Sequence, residues 1–199
     1  PQCFCDLTLP PATSERLQRM IEEKRPMNMI FHGPPGTGKT SAARIFLRKW
    51  DAFDVMQING SSQTGIDFMR ERVEGFARSP FSMTDDLRIC FIDEADYLSA
   101  SAQASLRVLI EQNEHRCRFI FAANRLEKIA DPLKSRLHGV SFLTPAASRS
   151  ERLAELGVKF DPVRLDEIVT LYFPDLRRIA NGLEFEFETQ PRDTFQMER

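Results

Sequence analysis

The octapeptide Gly33-Pro34-Pro35-Gly36-Thr37-Gly38-Lys39-Thr40 constrains this chain more than any other feature, because it matches the phosphate-loop pattern G-x-x-x-x-G-K-S/T. Its glycines let successive backbone N–H groups curl around phosphate oxygens where a Cβ would clash. The helix beside the loop directs its N-terminal dipole and free N–H groups at the same anion. Lys39 supplies a point charge to the β- and γ-phosphates, and Thr40 a hydroxyl ligand to Mg²⁺. Ser41 completes the candidate nucleotide-binding set. A chance match somewhere in 199 positions has a probability on the order of one in a hundred.

The flanking residues supply the strand and helix that such a loop must join. Met27 to Phe31 is a short apolar run bounded by Pro26 and Gly33, which reads as a buried strand. Ser41 to Trp50 places Ile45, Phe46 and Trp50 on one side of a helix. Upstream, Leu17, Met20 and Ile21 fall at i, i+3, i+4, in an amphipathic helix ending near Lys24 and capped by Thr13 or Ser14. Downstream, strands over Val55–Ile58, Leu87–Ile92, Phe119–Ala123 and Val140–Leu143 are expected, with helices over Ile66–Arg78 and Ala102–Gln112. Parallel strands need crossover connections, so this alternation predicts an α/β fold: a parallel five-stranded sheet sandwiched by helices.

Beyond Pro145 no further strand is expected. Helical stretches at 149–156, 162–172 and 175–184 are broken by Gly157, Pro162 and Pro174. The expected organisation is a core over 1–145, a small all-helical domain over 146–187 and a polar tail over 188–199. A hydrophobic fraction of 42% and a charged fraction of 28% fit a globular protein. With 27 basic and 29 acidic residues the net charge is -2, which excludes a uniformly basic nucleic-acid coat but not a local basic groove. Cysteines 3, 5, 90 and 117 lack zinc-knuckle spacing and read as ordinary thiols. No apolar run approaches the roughly 18 residues of a membrane span, so a cytoplasmic protein with no membrane partner is expected.

A second motif answers the first. Ile89-Cys90-Phe91-Ile92-Asp93-Glu94 is an apolar strand ending in two carboxylates, which puts charge at the carboxyl edge of the sheet, where α/β folds bind ligands. Asp93 would hold Mg²⁺, directly or through water. Glu94 could polarise a water that attacks the γ-phosphate. The tetrapeptide Asp93-Glu94-Ala95-Asp96 invites comparison with DEAD-box helicases, but the chain after the core is too short for their second domain.

Further residues complete an ordered set: Asn59-Gly60-Ser61, Gly65-Ile66-Asp67-Phe68-Met69-Arg70, Asp96-Tyr97-Leu98, Ala102 through Arg107, Asn124, Asp131-Pro132-Leu133-Lys134-Ser135-Arg136, and Pro174-Asp175-Leu176-Arg177-Arg178. Over about residues 10–185 the chain resembles AAA+ P-loop ATPases. Within that class it is similar to sliding-clamp-loader subunits of the replication-factor-C small-subunit and phage kind.

The resemblance implies ATP and Mg²⁺ as cofactors and ATP hydrolysis as the reaction. It implies sensor 1 at Asn124, aligning the attacking water, and an arginine finger at Arg136, reaching the ATP of a neighbouring subunit. The family usually follows that arginine with Cys; here Leu137 stands. Sensor 2 is implied at Arg177 on the helical lid, with Arg178 as the adjacent alternative. Asn59 resembles the residue that restrains the catalytic Glu until DNA arrives, and a turn-capping Asn is its alternative. Arg70 and Arg107 fall where such proteins contact DNA phosphates, yet Glu74 and Glu111 at i+4 offer each a surface ion pair instead. The position after Arg107, often basic in the family, is Val108.

The implied partners are other clamp-loader subunits in a ring or arc, a sliding clamp and primer-template DNA. The implied location is the cytoplasm, or the nucleoid or host cytoplasm for a phage-like protein. Another AAA+ machine, such as a branch-migration or remodelling motor, shares the nucleotide chemistry. A non-hydrolysing nucleotide-binding scaffold is the remaining reading, opposed by intact Lys39, Thr40, Asp93 and Glu94. The resembled subunits continue into a helical collar domain for which 199 residues leave no room. Either a shortened form or a reduced relative that assembles differently is therefore expected.

Overall fold

The computed structural model describes residues 2–7, 9–50, 54–62, 66–78, 87–142 and 162–189. Five strands form one sheet in the order β2-β3-β4-β1-β5: β1 (Met29–His32), β2 (Val55–Asn59), β3 (Arg88–Asp93), β4 (Cys117–Ala123) and β5 (His138–Ser141). Every pairing is parallel, so each connection crosses a face of the sheet, as the alternation predicts. The crossing and flanking helices are α1 (Pro11–Glu22), α2 (Lys39–Leu47), α3 (Ile66–Arg78), α4 (Ala100–Gln112) and the short α5 (Asp131–Lys134). After residue 161 come α6 (Pro162–Tyr172) and α7 (Leu176–Thr189).

The central strands are buried on both faces, and their side chains alternate between two cores. Ile30, Cys90, Ile92, Phe119, Phe121 and Ala123 face Val73 and Ala77 of α3 and Leu106, Leu109 and Ile110 of α4. Met29, Phe31, Ile89, Phe91, Ile120 and Ala122 face Leu17 and Met20 of α1 and Ala42, Ile45 and Phe46 of α2, with Phe46 stacked on Trp50 at 4.9 Å between ring centroids. A third cluster, Ile168, Val169 and Ile179, joins α6 to α7. The apolar runs of the sequence are thus strands read from both sides.

Some expectations shift at their ends. The first helix starts at Pro11 rather than at Thr13 or Ser14, because Pro11 fits N1 and Pro10 O accepts from the N–H groups of Thr13 and Ser14. Helix α4 starts two residues before the first periodic position, where Ser99 Oγ caps it by accepting from Ala102 N at 3.2 Å. The final helix runs to Thr189, into the stretch expected as tail.

Cys3 is disulfide-bonded, which corrects the reading of all four cysteines as ordinary thiols; spacing arguments about zinc sites could not detect it. Cys90 and Cys117 are free, and burial pushes both thiols up, Cys117 to about 12. The helix expected at 149–156 and the last ten residues lie outside the described residues. No helix among the described residues is long and apolar enough to cross a membrane.

Candidate active site

The phosphate loop leaves β1 at His32 and enters α2 at Lys39. Gly36 and Gly38 take φ of 73° and 94°, the left-handed region that favours glycine. Gly38 is the N-cap of α2, so the helix begins two residues earlier than its apolar pattern suggests. The loop is braced from within: Thr37 Oγ1 donates to Pro34 O at 2.9 Å. Lys39 Nζ donates to Gly33 O at 2.7 Å and to Pro34 O at 2.6 Å. Lys39 is buried, and desolvation lowers its pKa to about 8 against the opposing pull of Asp93, Asp96 and Asp175.

The register of the sheet brings the second motif to the loop. Strand β3 ends at Asp93, and Thr40 Oγ1 donates to Asp93 Oδ2 at 3.0 Å and Oδ1 at 3.2 Å. Asp93 Oδ1 also accepts from the Glu94 N–H at 3.0 Å. Glu94 itself turns the chain, with φ 52° and ψ 41°. A non-glycine residue in that region costs on the order of 1 kcal/mol and is typical of functional sites. The neighbouring strand closes on this turn, Gly60 N donating to Asp93 O at 2.8 Å.

A cavity of about 550 Å³ opens above these residues. Pro35, Gly36, Gly38, Lys39, Thr40 and Ser41 line it from the loop and the start of α2, Asp93 from the end of β3, Glu94 from the turn after it, Asn124 just past β4, and Arg177 from α7. The sequence had separated these residues by as much as 142 positions, and the parallel sheet gathers them at one edge. Gly33, Pro34 and Thr37, expected in the same set, do not line the cavity but take part in the bracing hydrogen bonds within the loop. Thr40 and Asp93 offer the hard oxygen donors that suit Mg²⁺, which keeps several waters and takes few protein ligands.

Other expected residues lie elsewhere. Asn59 Oδ1 accepts from Ser61 N and Oγ, both at 2.8 Å, the contact of a turn-capping Asn. Arg107 sits 3.9 Å from Glu111 in the expected i+4 pair. Glu74 pairs with Arg78 at 2.7 Å, and the side chain of Arg70 lies outside the described residues. Arg136 lies just past α5, where Nη1 donates to Pro132 O at 2.8 Å and Nε meets Glu111.

Four residues to which sequence reasoning gave no role also contribute: Asp96, Asp175, Asp6 and Leu7. Asp96 is buried; its Oδ1 accepts from the Asn124 N–H at 3.1 Å and its Oδ2 from Arg125 Nε at 3.4 Å, so it anchors the backbone that carries Asn124. Asp175 caps α7 by accepting from the N–H groups of Arg177 and Arg178, and Leu176 N donates to Gly36 O at 3.1 Å. Asp6 and Leu7 reach the cavity from the N-terminal segment. Asp96 and Asp175 both stood inside quoted motifs without a role assigned to them, whereas Asp6 and Leu7 carried no signal.

Residues 29–144 match the family model described as ATPase family associated with various cellular activities (AAA). The replication factor C small subunit of Archaeoglobus fulgidus is 35% identical over 181 residues, covering 85% of this chain and 56% of that protein. Its counterpart in Sulfolobus acidocaldarius is 34% identical over 180 residues, covering 85% and 55%. The chain therefore spans about half the length of the curated relatives it matches. Among solved structures, a Thermotoga maritima RuvB variant superposes with a TM-score of 0.69 at 18% identity, over 94% of this chain and 64% of that one. At that identity the likeness is one of fold.

Proposed function

The chain belongs to the AAA family of ATPases, and from that premise we propose that it binds and hydrolyses ATP as a subunit of a DNA polymerase clamp loader. The observation that carries the chemistry is the single cavity lined by Lys39, Thr40, Asp93, Glu94, Asn124 and Arg177. The replication factor C likeness over 85% of the chain favours the clamp-loader setting.

In this reading the loop amides and Lys39 hold the β- and γ-phosphates, and Thr40 and Asp93 hold Mg²⁺. The ion, when bound, neutralises charge developing on the phosphate oxygens. Asn124 orients a water, and Glu94 takes its proton as the oxygen attacks phosphorus and the bond to the β-phosphate oxygen breaks. Arg177, which lines the cavity, meets the γ-phosphoryl group from the same chain; its alternative, Arg178, instead lies over the Tyr172 ring. Arg136 does so from a neighbouring subunit. Ser61 fixes the amide of Asn59, leaving its Nδ2 to restrain Glu94 until DNA engages Arg70 and Arg107.

The domains would divide as a core over 1–145, a lid over 146–187 and a tail over 188–199. The partners would be other AAA+ subunits, a sliding clamp and primer-template DNA, in the cytoplasm or on the nucleoid. A Glu94→Gln variant should bind ATP yet lose turnover, and undiminished turnover would overturn the role of Glu94. Turnover that rises with protein concentration and with primed DNA plus a clamp is expected. Stimulation by four-way junctions instead would move the assignment to a branch-migration motor.

A further inference from the structure

Glu111, near the C-terminal end of α4, shares one carboxylate oxygen between two arginines. Arg107, one turn earlier on the same helix, places Nη1 3.9 Å from Glu111 Oε1. Arg136, just past α5, donates its Nε to that same oxygen. The meeting rests on a packed base. Leu106, Leu109, Ile110 and Leu133 belong to one buried cluster. Gln103 of α4 ties down the chain before α5, accepting from Ala130 N at 2.8 Å and donating to Lys128 O at 3.0 Å.

A guanidinium presents five donors in a rigid plane, so fixing two of its nitrogens aims the third. Nη1 of Arg136 donates to Pro132 O at 2.8 Å and Ser135 Oγ at 2.9 Å. Both acceptors belong to the turn that carries Arg136 and move with it. Glu111 is the contact that comes from another element and fixes the fork relative to the core. Nη2 has no hydrogen-bond partner among the described residues.

We propose that Glu111 is a positioning residue for Arg136: it aims the free Nη2 edge at an anionic phosphoryl group held by a neighbouring subunit. By lending the same oxygen to Arg107, it also makes that aim responsive to a nucleic-acid phosphate arriving at Arg107. This rests on the reading of Arg136 as acting in trans. An exposed pair at 3.9 Å is weak, so a phosphate can draw Arg107 away and leave the carboxylate to Arg136 alone.

The test measures ATP turnover by the assembled complex, with and without primed DNA, for the wild type, Glu111→Ala, Glu111→Asp and Arg136→Ala. Glu111→Ala should lower kcat roughly 10- to 100-fold, the scale of a misplaced catalytic group, and leave KM for ATP within about twofold. Glu111→Asp should recover part of the loss, and DNA should no longer stimulate the Ala variant. Assemblies reconstituted from Glu111→Ala and Lys39→Ala subunits should regain turnover, because the latter bring a correctly aimed Arg136 to intact ATP sites.

Failure to regain turnover in the mixture would trace the loss to the variant's own fold and overturn the proposal. Undiminished turnover in Glu111→Ala, with Arg136→Ala inactive, would overturn the proposal and leave the function reading standing. Undiminished turnover in Arg136→Ala would overturn both. Undiminished DNA stimulation of a slow Glu111→Ala would overturn the link through Arg107.

Discussion

Thr40 Oγ1 lies 3.0 Å from one oxygen of Asp93 and 3.2 Å from the other, joining the phosphate loop to the end of β3 through a single hydroxyl. The two side chains are 53 residues apart in sequence. They meet because β3 and β1 end at the same edge of the sheet, separated only by β4.

That cluster of hard oxygens predicts a divalent-cation dependence of nucleotide affinity. Titration with a fluorescent ATP analogue should show tighter binding with Mg²⁺ than with a chelator in the wild type. The difference should shrink at least tenfold in Asp93→Ala, since one of the two protein ligands is gone. An unchanged difference would take Asp93 out of the cation site.

Lys39 gives a pH dependence with a definite sign. Burial lowers its pKa to about 8, so the charged form is nearly complete about one unit lower, half-populated near pH 8, and lost as pH rises through it. A phosphate binds the charged form, so ATP affinity should be level below about pH 7 and approach a fall of about tenfold per unit above about pH 8. Lys39→Arg should flatten the profile, because a guanidinium keeps its proton. A wild-type profile level to pH 9.5 would contradict the lowered pKa.

Gly36 cannot be exchanged for alanine without disturbing the last helix. Its φ of 73° strains any side chain, and an added Cβ would lie 1.7 Å from Asp175 Oδ1. That carboxylate caps α7 through two N–H groups, so it cannot simply swing aside. Gly36→Ala should lose about 2 kcal/mol, adding about 1 for the lost cap to about 1 for the backbone. Chemical denaturation of the nucleotide-free protein checks this, and wild-type stability would contradict it.

Asp96→Ala removes a buried carboxylate and leaves the part-buried N–H of Asn124 without its acceptor. A destabilisation of about 1–3 kcal/mol is expected from the unpaired donor. Turnover should fall further than stability alone explains, because Asn124 loses its anchor. Asp96→Asn, which keeps an acceptor oxygen, should recover most of the stability in a denaturant titration.

Much of this was legible in advance, for a physical reason. Phosphate loops and strand-end carboxylates are local patterns, and Gly36, Lys39 and Asp93 line one cavity. The central strands were legible because burial on both faces makes them continuous apolar runs. Sheet order was not, since Ile30 carries no mark of having β4 on one side and β5 on the other. Nor was Glu111's partner: i+4 spacing points to Arg107, whereas Arg136 arrives by tertiary packing from 25 residues away. The left-handed turn at Glu94 was hidden as well, because nothing in a glutamate announces a positive φ.

The hydrogen bond from Leu176 N to Gly36 O has a kinematic consequence. It pins the first turn of a 14-residue helix to the loop where phosphates would sit. At 1.5 Å per residue that helix is about 21 Å long. A tilt of about 10° at the pinned end would sweep its far end through roughly 4 Å, more than the length of a hydrogen bond. A small rotation at the loop end of this helix therefore corresponds to a several-fold larger displacement at its far end.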